Sequence, residues 1–151
     1  MDKKRILIVE DQPDNRELMV LILRRLGYDV AEAGTGLEAI DQARAAHPDL
    51  IFMDLSLPEI MGDEATARLK ADPSTKDIPV IVNTAFDIGS AIVKRAMAEG
   101  AAEILYKPMS FTRLQEIVQR YLPSEIEGNP QPLRSSDRTN VVEDLSRHRE
   151  L

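Results

Sequence analysis

Five short runs of branched apolar residues recur along the chain, Arg5 to Val9, Tyr28 to Glu32, Leu50 to Met53, Pro79 to Asn83 and Ala102 to Tyr106, each followed by a stretch with helical periodicity. Most of the runs are continuously apolar rather than alternating, as a strand must be when helices cover both faces of its sheet. The order predicts an α/β fold of (βα)5 type, with a five-stranded parallel sheet between two helical layers. In the first helical stretch Met19, Ile22, Leu23 and Leu26 fall at i, i+3, i+4 and i+7, with Asp14 near its start and Gly27 just past its end. Leu37, Ile40 and Ala43 predict the buried stripe of the second helix, and Ile92, Val93, Ala96 and Met97 that of the fourth. Leu114, Ile117, Val118 and Tyr121 predict that of the last, which Pro123 ends. Leu18, Val20 and Leu21 fall outside the first stripe, so a partly exposed apolar patch able to dock a helical partner is expected there, beside the plainer reading of scattered surface residues.

After Leu122 the character changes. SEIEGNPQPLRSSDRTN is polar, carries two prolines and has no apolar period, so the expected organisation is a domain over 1–122 and a polar tail over 123–151. Val141, Val142 and Leu145 would lie on one side of a short helix at 140–150, marginal unless docked. The tail could be disordered, cap the domain, or exchange between subunits to make a homodimer.

Composition narrows the reading without redirecting it. The 151 residues are 43% hydrophobic and 30% charged, enough for one globular core. The absence of cysteine removes disulfides, thiolate nucleophiles and Cys-type zinc sites, and fits a cytoplasmic setting. The apolar run at the start, Ile6 to Val9, stops at Glu10 and Asp11, too short for an export signal. No stretch approaches the roughly 18 to 20 apolar residues that cross a bilayer, so no membrane span is expected. A net charge of −7 opposes attraction to phosphate backbones, so no nucleic acid is expected as partner.

Chemistry-bearing residues gather where these strands end. Glu10 and Asp11 follow the first strand, Asp54 ends the third, Thr84 the fourth, and Lys107 with Pro108 the fifth. In an open parallel sheet all of these lie at one edge, where such folds collect their ligands. Crowded carboxylates repel and call for a cation, and a hard oxygen site suits Mg2+. A carboxylate can act as nucleophile toward phosphorus and form an aspartyl phosphate. Lys107 could then offer a positive charge, and Thr84 a hydroxyl donor, to the phosphoryl oxygens.

The segments LIVEDQPDNRELM, PDLIFMDLSLPEIMG, VIVNTA and YKP resemble the signatures of response-regulator receiver domains, over roughly residues 4–122. The resemblance implies a flavodoxin-like, CheY-like sheet of strand order 2-1-3-4-5. It also implies Asp54 as phosphoacceptor, Glu10, Asp11, Asp54 and the backbone carbonyl of Ser56 around Mg2+, Thr84 as the switch hydroxyl, Lys107 as the conserved-type lysine, and a cis Lys107–Pro108 bond. The implied partners are a histidine kinase or histidine phosphotransfer protein as donor and a downstream protein target reached through the fourth helix, fifth strand and fifth helix. Such a chain is a signalling acceptor, not an enzyme, and the alternative is a phosphorylation-independent binding or dimerisation module.

Several positions depart from that family pattern. Receivers place Tyr or Phe three residues before the lysine, and here Ile104 stands there. Tyr106 lies two residues on, hence on the same face of the strand, and is expected either to take over part of the role or to be an aromatic packed at the sheet edge. Phe86 and Ser56, two residues past Thr84 and Asp54, would border the phosphoryl group and affect its lifetime. His47 is expected near a helix end and His148 in the tail, and Met61, Met97 and Met109 are expected to serve packing rather than ligation.

Rival chemistries lack their parts. An aspartate-based phosphohydrolase needs a second acid two residues after the nucleophile, where Ser56 stands. A flavin protein needs a Gly/Ser/Thr-rich loop after the first strand, where EDQPDN is acidic. The 29 residues after Leu122 are too few, and not basic enough, for a DNA-binding domain.

Overall fold

In the computed structural model, which describes residues 3–123, five strands and five helices alternate strictly. They are β1 (Arg5–Val9), α1 (Pro13–Arg25), β2 (Asp29–Ala33), α2 (Gly36–Ala46), β3 (Leu50–Asp54), α3 (Gly62–Ala71), β4 (Val80–Thr84), α4 (Ala91–Ala98), β5 (Glu103–Tyr106) and α5 (Phe111–Tyr121). All pairings are parallel, in the order β2-β1-β3-β4-β5. The three inner strands are almost wholly buried, which explains their unbroken apolar runs.

Some strand starts differ from expectation. β2 begins at Asp29 rather than Tyr28, because Gly27 at φ 99 turns the chain and the Tyr28 N–H is still bonded to the Leu23 carbonyl of α1. β3 and β4 end at Asp54 and Thr84, as expected, so these two are themselves the last residues of their strands. Backbone pairing therefore fixes the positions of both.

Two layers fill the space around the sheet. Ile6, Ile8, Phe52, Ile81 and Leu105 pack with Met19, Ile22 and Leu23 of α1 and Leu114, Ile117 and Val118 of α5. On the opposite face Leu7, Val9, Ile51 and Met53 meet α2 and α3, while Val82 meets Val93 and Ala96 of α4.

The helical stripes need three corrections. Val20 is buried in the core, so of the expected partly exposed patch only Leu18 and Leu21 are partly exposed, and Leu18 packs against that same core. Leu37 and Met97 are exposed, whereas Ala39 is buried beside Ile40 and Ala43. Small residues face inward on α2 because its start lies against the segment before α3: a Cβ on Gly36 would stand 2.3 Å from the Ile60 carbonyl oxygen. Met61 is exposed too, so of the three methionines expected to pack, Met109 does so. His47 caps the end of α2 in the left-handed region, as expected near a helix end. His148, the expected helix at 140–150 and the tail lie outside the described residues. Among the described residues no helix is long and apolar enough to cross a membrane.

Candidate functional site

The carboxyl ends of β1, β3, β4 and β5 bring Glu10, Asp11, Asp54, Thr84 and Lys107 together. Glu10 directly follows β1, and its N–H still bonds the Ala33 carbonyl of β2 at 3.0 Å, so the ladder holds it in place. From α1, the Arg16 guanidinium donates to the Glu10 carbonyl at 2.8 Å and to the Glu32 carboxylate at 3.3 Å, pinning the turn that carries the acidic pair. The Lys107 N–H bonds the Thr84 carbonyl at 2.8 Å, one step past β5, and the Lys107–Pro108 bond is cis.

Lys107 is the hub. Its ammonium donates to Glu10 Oε1 at 2.6 Å and to Asp54 Oδ2 at 2.9 Å. The other Asp54 oxygen accepts the Ser56 N–H at 3.1 Å. Carboxylate oxygens of Glu10, Asp11 and Asp54 all lie within 4.8 Å of one another, with Glu10 and Asp54 buried and Asp11 half-exposed. Three carboxylates and one ammonium sum to a formal charge of −2, the complement of one divalent cation. Burial, and then the hydrogen bond to Asp54, push the Glu10 carboxyl up to about 7 against the opposing pull of Lys107. Burial alone would lower Lys107, but its bonds to Glu10 and Asp54 outweigh that and raise it.

Thr84 is fully buried, and its hydroxyl oxygen accepts the Phe86 N–H at 3.0 Å. A hydroxyl that accepts still has a proton to donate. Phe86 itself is partly exposed at the rim. Ile104 packs against the α4 layer, and Tyr106 pairs in register with Thr84.

Other contributors were not singled out from the sequence. Gly62 opens α3, its N–H bonds the Leu55 carbonyl at 3.0 Å, and a Cβ there would stand 2.1 Å from the Asp54 carbonyl oxygen. The strand end bearing Asp54 thus needs a bare backbone beside it. Asn83, paired in register with Asp54, is buried with its Oδ1 unpartnered and its amide nitrogen 3.5 Å from Met19 Sδ. Its polar side chain within an apolar strand was the available signal.

The response regulator receiver domain model matches residues 6–119. The polar-differentiation response regulator DivK of Brucella ovis is 40% identical over 119 residues, spanning 79% of this chain and 96% of that protein. Among solved structures, the receiver domain of the sensor histidine kinase PA1611 of Pseudomonas aeruginosa, which has a magnesium ion coordinated in its active site cleft, superposes with a TM-score of 0.75 at 32% identity, covering 82% of this chain and all of that one. The chemotaxis response regulator CheY4 of Vibrio cholerae gives 0.74 at 27% identity, covering 80% of this chain and all of that one.

Proposed function

Because the chain belongs to the response regulator receiver family of two-component signalling, we propose that Asp54 accepts a phosphoryl group in a Mg2+-dependent reaction. The convergence of the Glu10, Asp11 and Asp54 carboxylates with the Lys107 ammonium carries this reading. The donors are hard oxygens, and their net charge is the one a divalent cation neutralises. Glu10, Asp11, Asp54 and the Ser56 carbonyl would hold Mg2+. Bound there, the cation supplies the positive charge that lets an anionic phosphoryl group approach a carboxylate.

The chain's own residues account for the rest. An Asp54 carboxylate oxygen attacks phosphorus, the phosphorus–nitrogen bond of a phosphohistidine breaks, and the electron pair leaves with the imidazole, which takes a proton from solvent. The product is an acyl phosphate on Asp54. Lys107, already on Asp54, pairs with a phosphoryl oxygen, and the Thr84 hydroxyl turns its proton toward another. A histidine kinase or histidine phosphotransfer protein is the donor, and the output is altered contact with a downstream protein through α4, β5 and α5.

Intact mass after incubation with acetyl phosphate tests the reading. The chain should gain one phosphoryl group only when Mg2+ is present, and Asp54→Asn should gain none. If the unmodified chain stays unmodified with Mg2+, the fold serves as a phosphorylation-independent binding module.

A further inference from the structure

Asn83 is 4% exposed within the run VIVNT of β4, and the steps of phosphoryl acceptance leave it without a part. Its Oδ1 is buried with no hydrogen-bond partner, while its amide nitrogen faces Met19 Sδ at 3.5 Å. A thioether sulfur accepts but cannot donate, so the amide presents its nitrogen there and keeps its oxygen for a donor elsewhere. A buried acceptor with no donor costs stability, so an asparagine in an apolar strand calls for a use.

Sheet order shows which donor passes over it. Lys107 follows β5, yet its ammonium lies 2.9 Å from Asp54 at the end of β3 and 2.6 Å from Glu10 after β1. β4 stands between β5 and β3, so the lysine side chain reaches these carboxylates only by crossing β4. Asn83 is the β4 residue in register with Asp54. Alternation puts the two on one face, because Phe52 and Ile81, two residues before each, pack in the same core with α1 and α5. On its other side Asn83 pairs in register with Leu105. An ionised Asp54 only accepts and Leu105 is apolar, so neither serves the Asn83 oxygen. The ammonium crossing β4 has three N–H groups, and Glu10 and Asp54 take two of them.

We propose that Asn83 is a positioning residue for phosphoryl acceptance, its Oδ1 taking the third N–H of Lys107 and holding the ammonium over Asp54. The inference rests on Asp54 as phosphoacceptor and deepens that reading. Lys107 leans here on the same two carboxylates that the loaded site puts to other work. As Glu10 is drawn away from it, a neutral acceptor beside Asp54 keeps the ammonium in place and adds no negative charge against the incoming phosphoryl group.

Asn83→Leu keeps the volume and removes the acceptor. Without Mg2+ its denaturation midpoint should match or exceed that of the unmodified chain, because a buried unpaired amide is gone. Its Mg2+ affinity, followed by backbone amide shifts, should be retained, while the initial rate of mass gain from acetyl phosphate should fall about tenfold, as a slightly misplaced reacting group predicts. In the unmodified chain the Asn83 13Cγ signal should move downfield when Mg2+ is added, as a carbonyl does on accepting a hydrogen bond, and should stay still in Lys107→Met. An unchanged rate in Asn83→Leu overturns the proposal, and so does a 13Cγ signal that does not move or that moves equally in Lys107→Met. A lower midpoint joined to weaker Mg2+ binding also overturns it, by making Asn83 a packing residue. An unmodified chain that gains no phosphoryl group removes instead the reading on which the proposal rests, and the 13Cγ signal separates that failure from this one.

Discussion

The two edges of this sheet are built from the same five strands and treat charge in opposite ways. At the carboxyl edge Glu10 and Asp54 are buried, and Lys107 is bonded to both. At the amino edge Lys3, Arg5 and Arg24 stand in solvent around a shallow groove. Acidic groups show the same contrast. Burial drives Glu10 up to about 7, whereas Asp72, on the exposed turn after α3, is lowered to about 2 by hydrogen bonds from the Ser74 backbone, Arg44 and the Ser74 hydroxyl. Charge held out of water is costly until a counter-charge arrives, so the buried edge is poised to take up a cation. The solvated edge can only offer weak, screened contacts.

The contrast breaks most severely at Gly62. A Cβ there meets the Asp54 carbonyl oxygen at 2.1 Å, so Gly62→Ala should cost about 2–4 kcal/mol in chemical denaturation, with loss of Mg2+ binding. Gly89→Ala, where a Cβ meets nothing within 4 Å, should change stability by less than about 1 kcal/mol. Equal effects would remove the claim that Asp54 sits against a tightly packed backbone.

Next in size is Glu10→Gln without metal. The folded-state carboxyl titrates near 7, above its ordinary 4.5, so the folded chain keeps a proton that the unfolded chain has lost across that window. Stability from this group therefore falls as pH rises from about 4.5 to 7, and the cost is full above 7. In chelator at pH 8 the glutamine variant should be more stable by on the order of 2 kcal/mol, a gain that disappears near pH 4. Thermal unfolding across pH measures it, and excess Mg2+ should reverse the ranking, because only the native chain would offer the ion a Glu10 carboxylate.

Smaller effects sharpen the contrast at the solvated side. Glu103 is raised by burial but lowered on balance by bonds from Arg120 and Tyr121 and by the nearby Arg113 charge. Its contribution is present at neutral pH and is lost as pH falls through its lowered titration. With partners about half exposed, Glu103→Gln should cost no more than about 1 kcal/mol at pH 7 and nothing in strong acid, as read from denaturant midpoints. Phe86→Ala, at the rim of the site, should change the half-life of the acyl phosphate a fewfold and leave the unfolding midpoint within about 0.5 kcal/mol.

Much of this was legible in the sequence, because strand ends are marked by where apolar runs stop. Glu10, Asp11, Asp54, Thr84 and Lys107 all stand where those breaks placed them, and the strand order agrees with the family resemblance. Helix faces were read less well. A 3.6-residue period shows one stripe, so it missed that Val20 is buried in the core and that Leu37 is exposed. Close approach was also hidden, since nothing in the run around Gly36 or Gly62 says which backbone will lie against it. The hold of Arg16 on the Glu10 carbonyl joins α1 to the turn after β1, and a side chain's backbone partner leaves no trace in residue type.

The central claim is that the buried carboxyl edge directs a phosphoryl group to one carboxylate. Borohydride converts an acyl phosphate to the corresponding alcohol, so reduction of the chain after acetyl phosphate treatment, followed by peptide sequencing by mass, reads the site directly. The account predicts conversion of Asp54 to homoserine, only with Mg2+ present. Conversion at Asp11 or Asp63 instead, or at no aspartate while Mg2+ is bound, would contradict it.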